Sequence, residues 1–329
     1  MTPVVIFIYK RFDTLPRIFE QIRHYRPRKL YILSDGPKKN EDKQQVQYTR
    51  ELALKLIDWD CEIIKRFHDE NVGVYQNIGM GATWVFKYEE RAIFLEDDSL
   101  PASTFFKYCD ELLDRYENNE KIFWICGTNY DRKQIPYANT YYYTKCLLPC
   151  GWASWGKKFP KFYDGNLVSL SHEKDEIMKT TYLDYRLYLQ EIQAVRQTAI
   201  NLNRNIRSVS WDRQMIYTIR ANNLYGIAPA VNQIQNIGAD NFSEHGGNDL
   251  KKVMTFRFCE VPTQPLQFPL MQPRKIEVNK TFERFTEGVI LYPIGGRLRR
   301  YLGRILKVLI GLSADDSLRL FLKNKPWKR

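Results

Sequence analysis

Three consecutive acids, Glu96-Asp97-Asp98, stand directly after the apolar run AIFL at residues 92–95. Adjacent carboxylates repel one another at neutral pH unless a cation or a partner offsets them. A hard divalent ion, Mn2+ or Mg2+, does so through carboxylate oxygens. Such ions often keep one or two protein ligands and take phosphate for the rest of their shell. The plain alternative is an acidic turn favoured by the N-terminus of the helix that follows. Position favours the metal reading, because in open α/β sheets ligands bind beyond the carboxyl ends of the strands. Two other strand ends carry polar residues, Tyr9-Lys10-Arg11 and Ser34-Asp35-Gly36.

Further groups could join this chemistry. Asp212 begins a helical stretch behind Trp211 and reads as a general base or as a helix-capping aspartate. His245 lies in Asn236-Ile-Gly-Ala-Asp-Asn-Phe-Ser-Glu-His245-Gly-Gly. That loop suits a lid closing on a diphosphate and a metal, or is an ordinary surface loop. Trp152 and Trp155, inside the 151–156 loop, either offer an apolar platform to a sugar face or pack in the core. His24, His68 and His172 sit in helix or turn contexts and read as structural. The six cysteines, at 61, 109, 126, 146, 150 and 259, are sparse and point to a reduced, intracellular chain. Cys146 and Cys150 are the closest pair, and without a second pair nearby they make a poor zinc site. H-E-x-x-H and the phosphate-loop motif are absent, and Gly79-Met80-Gly81 lacks the third glycine of a dinucleotide fingerprint.

The elements that must position these groups read as alternating strand and helix. Strands are expected at 3–9, 29–33, 61–65, 92–95 and 121–126, with helices at 15–25, 41–57, 74–90 and 105–116. About four alternations in the first part of the chain predict a doubly wound, mostly parallel α/β sheet. Beyond residue 140 the pattern changes: aromatics cluster over 141–163, helices are expected over 173–200 and 211–222, and a short strand over 226–232. Pro262, Pro265, Pro269 and Pro273 mark 259–276 as a linker or strap. This divides the chain into a catalytic domain at 1–258, the linker, and a basic tail at 277–329.

The chain has 329 residues, is 44% hydrophobic and carries a net charge of +12. That composition excludes a fibrous or mostly disordered chain. No stretch of about 18 apolar residues is long enough for a membrane-spanning helix. The start, MTPVVIFIYKR, reads as a first strand rather than a secretory signal. In the tail, Leu298, Leu302, Ile305, Leu309 and Leu312 fall on one helical face and Arg297, Arg300, Arg304 and Lys307 on the other. Such a basic amphipathic helix suits an anionic membrane surface, or packs on the domain with a solvated basic face. With the charge concentrated there and no nucleic-acid motif beside it, a nucleic-acid partner is not expected.

Y-x-R after the first strand, S-D-G after the second and L-E-D-D after the fourth together resemble the GT-A glycosyltransferases. The closer likeness is to the branch around N-acetylglucosaminyltransferase I and its bacterial HlpA-like relatives. It continues through Pro101, Phe105-Phe106, Thr128-Asn129, Gly151-Trp152 and Trp211-Asp212, covering roughly residues 3–245. The resemblance implies Asp98 as the direct metal ligand, with His245 a second metal contact. It implies Asp97 near the donor ribose or sugar and Glu96 on the donor sugar. Asp35 would read the uracil or ribose of a UDP donor, Arg11 would sit beside the base or phosphates, Trp152 would line the donor site, and Asp212 would be the catalytic base. The family often has two acids after that tryptophan, whereas here Arg213 follows Asp212. Its basic residue before E-D-D has no match in 77–84.

The expected activity is metal-dependent, inverting transfer of a hexosyl or N-acetylhexosaminyl group from a nucleotide sugar. The acceptor would be a glycan or lipid-linked molecule in surface polysaccharide or glycoconjugate synthesis, at the cytoplasmic face of a membrane. A sugar nucleotidyltransferase would usually need a glycine-rich phosphate loop and a lysine after the first strand. Tyr9-Lys10-Arg11-Phe12 has no glycine. A non-catalytic nucleotide-sugar or glycan-binding module would retain the acids and lack the base.

Overall fold

A computed structural model describes residues 1–133, 139–206, 209–239 and 249–312. Strand and helix alternate at first: Val4–Ile8 (β1), Leu15–Tyr25 (α1), Lys29–Ser34 (β2), Lys43–Lys55 (α2) and Glu62–Phe67 (β3). A π-helical turn at Tyr75–Gly79 leads into Met80–Val85 (α3), followed by Arg91–Glu96 (β4), Ser99–Pro101 (β5), Phe105–Arg115 (α4) and Ile122–Cys126 (β6). Then come Tyr141–Thr144 (β7), Trp152–Trp155 (β8), Phe159–Phe162 (α5), His172–Thr180 (α6), Tyr185–Asn203 (α7), Asp212–Ala221 (α8) and Tyr225–Pro229 (β9). The described chain closes with Ile234–Asn236 (β10), Val253–Phe258 (α9), Lys280–Ile290 (α10) and Ile294–Leu309 (α11).

Eight strands form one sheet in the order β3-β2-β1-β4-β8-β6-β9-β7. β1, β2, β3 and β4 run parallel, as do β6 and β9. β8 is antiparallel to both β4 and β6, and β7 is antiparallel to β9. The α/β class holds, with a mixed sheet in which a reversed strand joins two parallel parts. Neither reversed strand is visible in the sequence. YYYT and WASW are buried along their whole length, so no polar positions alternate to mark a strand.

Period-two alternation sends β1 side chains to two cores. Val5 and Phe7 pack with Tyr31, Leu33 and Phe94 toward α3, α7 and α8. Val4, Ile6 and Ile8 pack with Leu30, Ile32, Ile93 and Leu95 toward α1 and α4. The single helix expected over 173–200 is two, because Ser171 caps α6 through the Lys174 amide at 3.3 Å and Asp184 caps α7 through the Arg186 amide at 2.8 Å.

The C-terminal boundaries also differ from expectation. Cys259, Val261, Leu266 and Leu270 are buried, so 259–276 is a strap packed on the body and not a free linker. Its backbone is held by Thr104 Oγ1 at Leu266 N (3.0 Å) and by Glu111 Oε1 at Leu270 N (3.0 Å). The tail proper starts later than residue 277, because α10 is part of the body. Glu283 and Glu287 on α10 are buried against Arg220 of α8, at 3.5 and 3.4 Å. Glu191 of α7 lies 3.9 Å from the same guanidinium, and the Tyr182 ring lies beneath it. Cys146 Sγ, Glu283 and Glu287 bring potential ligand atoms within 4.8 Å of one another. Arg220 Nη2 already stands among them, 3.4 Å from the sulfur, so the cluster is a buried ion network. It clamps the C-terminal end of α8 to α10 and leaves the other end, with Asp212, facing the strand ends.

Candidate active site

β1 and β4 are adjacent and parallel, with Phe7 opposite Glu96, so their ends deliver the 9–14 loop and the acidic triplet to one place. The Tyr9 amide donates to Asp97 Oδ2 at 2.8 Å. Thr14 Oγ1 donates to the Asp97 carbonyl and to Arg11 O. Arg11 is 7% exposed; its Nε lies 3.9 Å from Asp97 Oδ1 and its Nη2 donates to Gly238 O at 3.1 Å. On the far side, β5 pairs with β10, placing Ser99 opposite Asn236. The Ile237 amide then donates to Asp98 O at 2.8 Å, which draws the chain across the triplet.

That crossing explains Gly238. A Cβ there would lie 2.5 Å from Asp98 Oδ2, so glycine lets the chain pass this close to the carboxylate without displacing it. Gly238→Ala should keep the fold and weaken Mn2+ affinity by roughly 10–100-fold, the usual effect of disturbing a ligand's supporting shell. Calorimetric titration with Mn2+ checks this, and unchanged affinity would show that the close passage at Gly238 has no such use.

The carboxyls crowd one another. Burial, then Asp98, pushes Asp97 up to about 7, against the opposing pull of the Tyr9 amide and Arg11. Glu96 is held well above the carboxylate range by burial first, then by Asp98, Asp97 and Asp212. The Cys150 thiol is raised by burial and then by Asp98 and Glu96, and accepts from Asn236 Nδ2 at 3.6 Å. Hard oxygen donors crowded under mutual repulsion fit a divalent cation.

Asp212 reaches this place through an aromatic stack. Phe94 of β4 pairs with Trp152 of β8, their ring centroids 3.8 Å apart, and Trp152 stacks on Trp211 at 5.8 Å. Asp212 follows as the first residue of α8, close enough to Glu96 to raise its proton affinity. Trp211, not Asp212, occupies the cap position, which sets the capping alternative aside. The Asp212 side chain is 32% exposed, accepts from Ser210 Oγ and lies 3.9 Å from Arg213 Nε.

Two sequence expectations are corrected. Trp152 is 1% exposed and stacks on both Phe94 and Trp124, so it has no face to offer a donor and instead positions Trp211. Asp35 does not read a base. Its carboxylate accepts from the Gly36, Val72 and Gly73 amides at 2.8, 2.8 and 3.0 Å and from Asn71 Nδ2 at 3.0 Å. Those four bonds fill a carboxylate's capacity, and Asp35 organises the loop at 71–73. Trp155 is likewise structural, its Nε1 donating to Leu113 O at 3.0 Å. Cys146 and Cys150 diverge, one into the Arg220 network and the other toward Asp98. His245 lies outside the described residues. Thr14 and Tyr292 were not singled out in the sequence. The Tyr292 side chain comes within interaction range of Arg213, which no local signal 79 positions away could announce.

No family model matches the chain. No curated protein matches it. Among solved structures it is similar to S. aureus TarS 1–349, at 12% identity and a TM-score of 0.39, over 74% of this chain and 62% of that one. It is similar to the galactosyltransferase LgtC in complex with donor and acceptor sugar analogues, at 13% identity and a TM-score of 0.29, over 49% of this chain and 62% of that one. It is also similar to UDP-glucose pyrophosphorylase complexed with UDP-glucose, at 9% identity and a TM-score of 0.34, over 71% of this chain and 91% of that one. The chain thus spans about three fifths of the TarS and LgtC chains, and its functional assignment rests on its own residues.

Proposed function

We propose that this protein is a divalent-metal-dependent, inverting glycosyltransferase. It moves a hexosyl or N-acetylhexosaminyl group from a nucleoside diphosphate donor, UDP-sugar favoured, to a hydroxyl of a glycan or lipid-linked acceptor. Surface polysaccharide or glycoconjugate synthesis at the cytoplasmic side of a membrane belongs to the same reading. The observation that carries it is the approach of Asp212, at the start of α8, to the acids at the end of β4.

Asp98, beside which Gly238 lets the chain pass closely, would hold the cation. Mn2+ or Mg2+ at that position would supply the positive charge that offsets the departing diphosphate. Asp97, fixed by the Tyr9 amide, and Arg11, fixed by Gly238 O, shape the donor side. Glu96 faces the donor sugar. On the other side Asp212 accepts the acceptor's hydroxyl proton as the new glycosidic bond forms and the bond to the diphosphate breaks. Attack from the face opposite the leaving group inverts the anomeric centre. Ser210 and Arg213 hold the Asp212 carboxylate in place.

Thermal unfolding with a panel of nucleotide sugars, each with and without Mn2+, tests the reading. A rise in Tm that needs both metal and one nucleotide sugar supports it and names the donor. No rise with any member of the panel would leave the acids as a structural turn.

A further inference from the structure

α11 exposes an apolar stripe that nothing in the described chain covers. Ile294, Leu298, Leu302, Ile305 and Leu309 follow one another at three- and four-residue steps and are 74, 54, 53, 40 and 76% exposed. Burying such side chains is worth far more than leaving them in water, so an unpartnered row of this kind marks an interaction face. Charge identifies the partner. Arg297, Arg300 and Lys307 project from the other side of the helix, and the whole chain carries +12. At the start of α7, where Asp184 lies within electrostatic range of Arg297, Tyr185 adds a further exposed ring, 56% exposed. No described helix is long and apolar enough to cross a membrane. Apolar residues on one side and cations on the other are the geometry of a helix lying in the plane of an anionic interface.

The root of this helix is tied to the candidate base. Tyr292, just before α11, donates its amide to Gln190 Oε1 of α7 at 2.9 Å. Its ring carries the Arg300 guanidinium at 4.0 Å. Its side chain comes within interaction range of Arg213, the neighbour of Asp212. The start of α11 is therefore linked through Tyr292 and Arg213 to Asp212.

We infer that α11 docks this protein on an anionic lipid bilayer and that Tyr292 sets the bilayer beside Asp212, so that the acceptor is presented from the membrane. The docking stands on α11 alone; the presentation of acceptor deepens the proposed function and rests on it for the role of Asp212.

Co-sedimentation of the full chain with phosphatidylcholine vesicles, with and without phosphatidylglycerol, tests this. The wild type should pellet with the anionic vesicles, release as salt is raised, and stay in solution with the neutral ones. Leu298→Glu with Leu302→Glu should lose at least ~10-fold in vesicle partitioning, because two buried aliphatic side chains and two units of charge complementarity go together. Both positions are exposed, so the unliganded Tm and the Mn2+-dependent shift with nucleotide sugar should not move. That shift is the separate readout for the donor site. Equal pelleting of variant and wild type overturns the docking. So does sedimentation equilibrium showing a wild-type dimer that the variant abolishes, since the stripe would then cover a second copy.

Discussion

Asp98→Ala should abolish the Mn2+-dependent rise in Tm with nucleotide sugar and lower transfer by roughly 10²–10³-fold, the range for losing one electrostatic stabiliser of the transition state. A second signature separates loss of the metal from loss of the fold. Asp97 has its folded value raised from 3.8 to about 7 by burial and then by Asp98. The folded state therefore binds more protons than the unfolded chain across that window, and metal-free stability falls as pH rises from 3.8 toward about 7. Removing Asp98 removes one source of that repulsion. The metal-free variant should be at least as stable as the wild type at pH 7, with a flatter dependence over the same window. Thermal melts across pH, with and without Mn2+, read both effects. A variant that keeps its metal-dependent shift, or one that is simply less stable throughout, would remove Asp98 from the metal site.

Asp212→Asn should lower kcat by about 10²–10⁴-fold while leaving donor and Mn2+ affinity near wild type, because only proton acceptance is lost. Asparagine keeps an acceptor for the Ser210 hydroxyl, so the side chain can hold its place. Asp212 is not the cap of α8, and losing one negative charge in a first helical turn costs only about 0.3–1 kcal/mol. A drop of several orders in rate cannot come from that source. Transfer kinetics beside calorimetric donor binding decide the matter. Undiminished transfer would move the base to another residue, and lost donor affinity would make Asp212 a donor contact.

The strands before the site were legible because each is a short apolar run closed by a local stop. β1, β2 and β4 lie within or around the runs PVVIFIY, KLYIL and AIFL that predict them, and α1 has the expected limits of Leu15 and Tyr25. The placing of the acids at the end of β4 follows from the same local signal. Side-chain alternation and turn chemistry act over a few residues, so a single sequence displays them. The reversed strands β7 and β8 were not legible, since burial on both faces erases the alternation that would mark them.

What the acids do depended on elements that meet only in the folded chain. Asp35 looked like a ligand-reading group at a strand end, and its partners turned out to be amides 37 and 38 residues further on. Trp152 became an internal spacer because β8 inserts between β4 and β6, whose Phe94 and Trp124 stack on its ring. Glu283 and Glu287 read as part of a charged tail until Arg220, more than 60 positions away, drew them into the core. The chain order alone thus determined which residues could carry charge, bind a cation or turn the backbone. The tertiary structure decided which of them are satisfied by the protein itself, because a buried carboxylate with its amides or its arginine in place has nothing left to offer a ligand.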